Sequence, residues 1–133
     1  TYGDGVGTID INQLVKFHLA HGKIMTVTGV RPPGRFGELR HDENNLITDF
    51  NEKPQTTAGR ISGGFFVCRK EIFNYLSDAD NLVFEEEPMR MLVKDKRLMI
   101  YQHEGFWHPM DTHRDYLYLN QLFDNKKAPW VTW

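Results

Sequence analysis

Two aspartates and a glutamate-lysine pair hold most of the chemistry open to this chain. Asp4 lies in Tyr2-Gly3-Asp4-Gly5, with glycine on both sides. Glycine lets the backbone turn sharply and leaves room for a bulky group beside it. In open α/β sheets ligands gather beyond the carboxyl ends of strands, and a carboxylate at such a turn suits a hard cation such as Mg²⁺. Asp111 lies in Pro109-Met110-Asp111-Thr112, just ahead of a helical segment. Mg²⁺ is commonly bound by one or two protein carboxylates together with substrate phosphates, so Asp4 and Asp111 make a candidate metal pair if the fold brings them together. Plainer readings stand beside both: an Asp-Gly turn for Asp4, and helix capping by Asp111 itself or by Thr112. Glu52 and Lys53 precede Pro54. Lysine offers a point charge for a phosphate, and a carboxylate accepts hydrogen bonds from sugar hydroxyls. A solvated charged turn is the alternative.

Other segments are weaker candidates. Gly63 and Gly64 sit inside a strand-like run, Ser62-Gly63-Gly64-Phe65-Phe66-Val67. Glycines there mark either a bulge or the close approach of a ligand. Arg35, in Pro32-Pro33-Gly34-Arg35-Phe36-Gly37, reaches an anion or a neighbouring subunit if it is not simply solvated. His18 and His21 stand near a helix C-terminus, where positive charge is favoured, and without cysteine partners they do not read as a zinc site. Gly3-Asp4-Gly5-Val6-Gly7 is not the dinucleotide fingerprint, and no Gly-x-Ser-x-Gly nucleophile elbow occurs. Cys68, the single cysteine, permits no internal disulfide and is expected to be a small buried sheet residue.

The elements that must position these groups alternate in type. Residues 10–22 read as a helix with Asp10 as N-cap, a stripe at Ile11, Leu14, Val15 and His18 or Leu19, and Gly22 as the stop. A buried strand over 23–30 follows, then a hairpin around Asp42-Glu43-Asn44-Asn45, a strand over 60–70, short helices over 70–79 and 84–97, and a strand over 97–105. Residues 105–112 read as an aromatic, proline-broken loop. A last helix over 112–127 starts with Thr112 and Asp115 at capping-box spacing, and the apolar tail after it is expected to pack. Such an order implies an α/β fold, a mixed sheet flanked by helices.

Composition narrows the class. In 133 residues, 40% are apolar and 26% charged, with a formal net charge of −2. That balance fits a soluble globular chain and gives no basic excess for a nucleic-acid groove. No apolar run approaches the ~20 residues needed to cross a bilayer. A cytoplasmic location is compatible with all of this.

In order along the chain, YGDG, KFHLAHGK, PPGRFG, EKP, GGFFV, FEEEPM, GFWHPMDT and KAPWVTW resemble the sugar-phosphate nucleotidyltransferases across essentially all 133 residues. The resemblance implies the C-terminal part of a Rossmann-like nucleotidyltransferase fold. It implies transfer of a nucleotidyl group, CMP from CTP in the most similar branch, to glucose 1-phosphate, with Mg²⁺ as cofactor. Asp4 and Asp111 match the two metal-holding aspartates. Lys53 matches the phosphate contact and Glu52 the sugar-hydroxyl contact, while Gly64 and Tyr2 match positions beside the hexose. Ser62 departs from the family, which has asparagine before the glycine pair. The family's GGxGTR loop for the triphosphate does not occur in these residues, so the chain is expected to be the sugar half of a longer enzyme, inactive alone. A non-catalytic sugar-phosphate-binding or assembly module is the alternative. The expected partners are a sugar 1-phosphate, a nucleoside triphosphate and further copies of the chain, through an open strand edge or the aromatic C-terminal tail, with neither nucleic acid nor membrane.

Overall fold

The computed structural model describes residues 1–32, 34, 38–51 and 59–132. Its elements are β1 (Gly5–Gly7), α1 (Ile11–His21), β2 (Met25–Val30), β3 (Glu38–His41), β4 (Ile47–Asn51), β5 (Ile61–Cys68), a 3-10 helix (Lys70–Tyr75), α2 (Glu87–Lys94), β6 (Leu98–Gln102), β7 (Trp107–Pro109) and α3 (His113–Asp124). Parallel and antiparallel pairs both occur and helices accompany them, as the α/β reading expects. The chain divides into two compact units, one built from Thr1–Gly3, Ile9–Gly29 and Ser62–His103, the other from Asp4–Thr8, Val30–Ile61 and Glu104–Trp133. Among the described residues no helix is long and apolar enough to cross a membrane.

In the first unit the sheet order is β5-β2-β6. β2 and β6 run parallel, from Met25 opposite Leu98 to Gly29 opposite Gln102. β2 is buried along nearly its whole length, which is the expected position of a short β-branched run in the middle of a sheet. Met25, Ile72 and Leu92 form the core, with Phe66, Phe84 and Met89 packed against them. Each such side chain contributes about 1.5–3 kcal/mol on leaving water. Asp10 caps α1 by accepting the Gln13 N–H at 3.0 Å, and Gly22 ends it at φ +66°. Only half of the expected apolar stripe is buried. Leu14 and His18 face inward, whereas Ile11, Val15 and Leu19 are exposed. The choice of His18 over Leu19 has a polar cause, since Thr26 on β2 offers its hydroxyl to the imidazole at 2.8 Å.

Two expectations for this unit need correction. The segment after β5 forms six residues of 3-10 helix, and α2 begins only at Glu87, with Pro88 in its first turn. Proline is tolerated there because the first N–H groups of a helix have no intrahelical partner. Cys68 is exposed at the end of β5 and not buried in the sheet. Neighbouring atoms nevertheless desolvate its thiol and push its pKa up, which argues against a reactive thiolate.

In the second unit β1 pairs antiparallel with β7, and β3 with β4. The β3–β4 turn is stitched by Asp42, whose Oδ1 accepts the N–H groups of Asn44 at 2.9 Å and Leu46 at 3.0 Å, while Asn45 takes φ +64°. This is the side-chain chemistry that makes Asx residues turn formers. α3 starts with the full capping box: Thr112 and Asp115 each bond the other's backbone N–H. The apolar tail packs through Trp130, stacked on Phe106 at 5.4 Å. Residues 107–109, expected to lie in a loop, are a strand. Three residues containing a proline carry no strand periodicity, and only a partner distant in sequence makes them one.

Candidate active site

The β1–β7 pair determines where the two aspartates stand. Gly5 lies opposite Pro109 and Gly7 opposite Trp107. One step before that pair, the Met110 N–H donates to the Asp4 carbonyl at 2.6 Å. Thr8 N–H donates to Phe106 O at 2.9 Å at the other end. Asp4 is therefore joined through its backbone to the residue preceding Asp111, and both aspartates are exposed. Gly5 packs against Trp107, and a Cβ there would lie in van der Waals contact with the indole nitrogen at 3.4 Å. The side chains nearest in sequence to this junction offer carboxylate oxygens, the donor set that Mg²⁺ prefers over imidazole or thiolate. Two carboxylates leave the remaining positions to water and substrate phosphate, so this pair fits such an ion. Among the described residues no cluster of three or more His, Cys, Asp or Glu side chains forms a self-sufficient metal cage.

Asp111 opens onto a cavity of about 470 Å³ lined by Pro32, Gly34, Ile61, Trp107, Arg114 and Asp115 among others. One wall is a compact hydrogen-bonded bracket. Asp115 Oδ2 accepts from the Thr112 N–H at 3.0 Å and from the Thr112 hydroxyl at 2.7 Å. Its Oδ1 accepts from His108 Nε2 at 3.1 Å. These donors, the Thr112 hydroxyl foremost, hold the Asp115 carboxyl below its ordinary pKa against the opposing effect of burial. In the same unit, Glu104 accepts from Arg31 Nε at 3.2 Å and from Arg60 Nη2. The two guanidinium hydrogen bonds, Arg60 first, lower the Glu104 pKa.

Tyr2, Ser62 and Gly64 meet in the first unit. Tyr2 N–H donates to Gly64 O at 3.0 Å, and the Tyr2 ring packs edge-on against Phe66 at 5.4 Å. Gly64 has φ +76°, and a Cβ there would meet Tyr2 Cδ2 at 3.0 Å. Glycine at position 64 is thus required by backbone conformation and by a close tyrosine together. Ser62 turns inward on its own strand, where its Oγ accepts the Gly64 N–H at 3.3 Å. Glu52, Lys53 and Arg35 lie outside the described residues. His108 and Arg114 were not singled out from the sequence, yet both line the cavity with Asp111. Their nearness in sequence to Asp111, across a strand-to-helix turn, was the available signal.

The family model for nucleotidyl transferases matches residues 2–126. The chain belongs to the nucleotidyl transferase family. Within that family it is 46% identical to a glucose-1-phosphate cytidylyltransferase of Salmonella typhi over 133 residues, all of this chain and 51% of the relative. It is 34% identical over 120 residues to a mannose-1-phosphate guanyltransferase of Saccharomyces cerevisiae, covering 83% of this chain and 33% of the relative. Its fold is also similar to that in the crystal structure of HddC from Yersinia pseudotuberculosis, at TM-score 0.58 and 19% identity over 91% of this chain and 52% of that one. The chain spans about half the length of the curated cytidylyltransferases it matches.

Proposed function

We propose that this chain is the sugar-phosphate half of a glucose-1-phosphate cytidylyltransferase. A phosphate oxygen of glucose 1-phosphate attacks the α-phosphorus of CTP. The bond from that phosphorus to the bridging oxygen breaks, and pyrophosphate leaves with CDP-glucose as the other product. The attacking oxygen is already an anion, so the site needs no general base. It needs in-line positioning and control of charge. Asp4 and Asp111 are the residues to hold Mg²⁺, which supplies charge neutralisation at the phosphate oxygens when bound. Lys53 takes the sugar phosphate and offsets repulsion between the two anions. Glu52 accepts from sugar hydroxyls, Tyr2 and the Gly64 backbone flank the hexose, and the Ser62 hydroxyl, already an acceptor from Gly64, keeps its proton to donate. The reading places the work in the cytoplasm, in a homo-oligomer.

The observation that supports this most is the backbone bond from Met110 to Asp4, which joins the two carboxylate-bearing segments. The identity of 46% along the whole chain supports glucose and cytidine as the preferred sugar and base. Calorimetric titration of the chain with glucose 1-phosphate tests the reading. Binding should tighten with Mg²⁺ and be lost in Lys53→Ala. Metal-independent binding that disappears in Lys53→Ala but is untouched in Asp111→Ala would favour a non-catalytic sugar-phosphate module.

A further inference from the structure

We propose that His108 is a positioning residue, whose Nε2–H···Asp115 hydrogen bond fastens the turn carrying Asp111 to strand β7. The inference rests on the reading of Asp4 and Asp111 as metal-holding carboxylates. Its basis is the sharing of one carboxylate among three donors. Oδ2 of Asp115 takes both Thr112 donors, and with the Asp115 N–H bonded to the Thr112 hydroxyl at 3.2 Å the helix cap is already complete. Helix initiation needs nothing more. The additional bond from His108, at 3.1 Å to Oδ1, contributes nothing to capping. It ties the cap to the middle of β7. An ionised carboxylate only accepts, so Nε2 carries the proton.

The consequence is geometric. Residues 109–111 are enclosed by a bracket with His108 at one end and Thr112 at the other. Within it, Met110 N–H is already committed to the Asp4 carbonyl. Fixing both ends of so short a segment fixes the backbone of Asp111 relative to Asp4. The imidazole itself has little freedom. It lies against Tyr118 at 4.9 Å and is stacked with Phe106 at 6.4 Å, 19° from parallel, and its side chain is 14% exposed. The carboxylates of a metal site need placement to within ~0.5 Å, and the groups behind them supply it. A carboxylate on an unbraced strand-to-helix turn would lack that support.

The test reads metal binding and not turnover. Mn²⁺ is titrated into the 133-residue chain in the presence of glucose 1-phosphate, and free Mn²⁺ is followed by electron paramagnetic resonance. Three variants are compared: His108→Leu, which keeps bulk without a donor, His108→Asn, too short to reach Asp115, and His108→Gln, whose amide N–H reaches it. Leucine and asparagine should each weaken Mn²⁺ binding roughly 10-fold, the lower end for supporting residues of metal ligands, and glutamine should restore most of the loss. In the parent chain, ¹⁵N spectra should show His108 Nε2 carrying a proton in a hydrogen bond. Equal affinity in parent and His108→Asn overturns the proposal, as does equal weakening by asparagine and glutamine. Absence of Mn²⁺ binding in the parent chain itself overturns the metal reading beneath it, a result separate from any effect of His108. If leucine fails to fold, the asparagine and glutamine pair still decides.

Discussion

At the scale of single residues, polar groups away from the aspartates set the pH response. His21 Nδ1 accepts the Lys23 N–H at 2.9 Å, so its Nε2 carries the proton and donates to Thr26 Oγ1 at 2.7 Å. The Thr26 hydroxyl then donates to His18 Nδ1 at 2.8 Å. That sequence leaves His18 with its proton on Nε2, an atom buried without a hydrogen-bond partner. Burial first, then the charges of His21 and Arg69, lowers the His18 pKa below 6.5. Burial and Arg69 lower that of His21, against the pull of its own backbone hydrogen bond. A lowered folded pKa means that the unfolded chain binds more protons between that value and 6.5. This part of the stability is fully present above 6.5 and is lost as pH falls through that window. Urea titrations at pH 7.5 and 5.5 should show the loss, and the double variant His18→Gln, His21→Gln should show less of it. Gly64→Ala should cost about 1–3 kcal/mol, the usual range for a non-glycine residue held at positive φ. Tyr2 must move as well, which near-ultraviolet circular dichroism would report.

Elements were legible in the sequence in proportion to their length and chemistry. α1 and α3 announced themselves because their caps are side-chain events: Asp10 on Gln13 and Thr112 with Asp115. β2, β6 and the β3–β4 hairpin were legible from apolar runs bounded by turn residues. β1 and β7 were not, because three residues cannot show a period of two, and their pairing joins segments 98 positions apart, as between Thr8 and Phe106. That hidden pair is what puts Asp4 beside the Asp111 turn, so the least legible element bears most directly on the candidate site. The two aspartates were candidate cation ligands by residue type alone, and their spacing held no information on their meeting. His108 was passed over for the same reason, since its role depends on which side of the α3 cap the strand passes. Thr112→Ala should destabilise the chain by ~1 kcal/mol, the typical value of an N-cap, in chemical denaturation.

For the whole molecule, stability and association follow from which apolar groups are covered. Leu92 is fully buried in the core with Met25 and Ile72, so Leu92→Ala should cost roughly 2–5 kcal/mol by the same denaturation measurement. On α3, Leu117 is 54% and Phe123 57% exposed, and Tyr116 is nearly as open. Large apolar groups left open on one helix offer material for a contact surface. We expect self-association, weakened by Phe123→Lys, and light scattering across a concentration series would detect it; a monomer at all concentrations would contradict it. The family itself was readable from the ordered motifs because they recur along the whole chain, and the match over residues 2–126 bears this out.

On the proposed function, Asp4 and Asp111 act as a unit on one cation. A double-mutant cycle measures it directly: Mn²⁺ affinity in the presence of glucose 1-phosphate for the parent chain, Asp4→Asn, Asp111→Asn and the double variant. Ligands of a shared ion are strongly non-additive, so either single substitution should remove nearly as much affinity as both together. Losses that simply add, or a parent chain with no affinity beyond that of the double variant, would contradict the account.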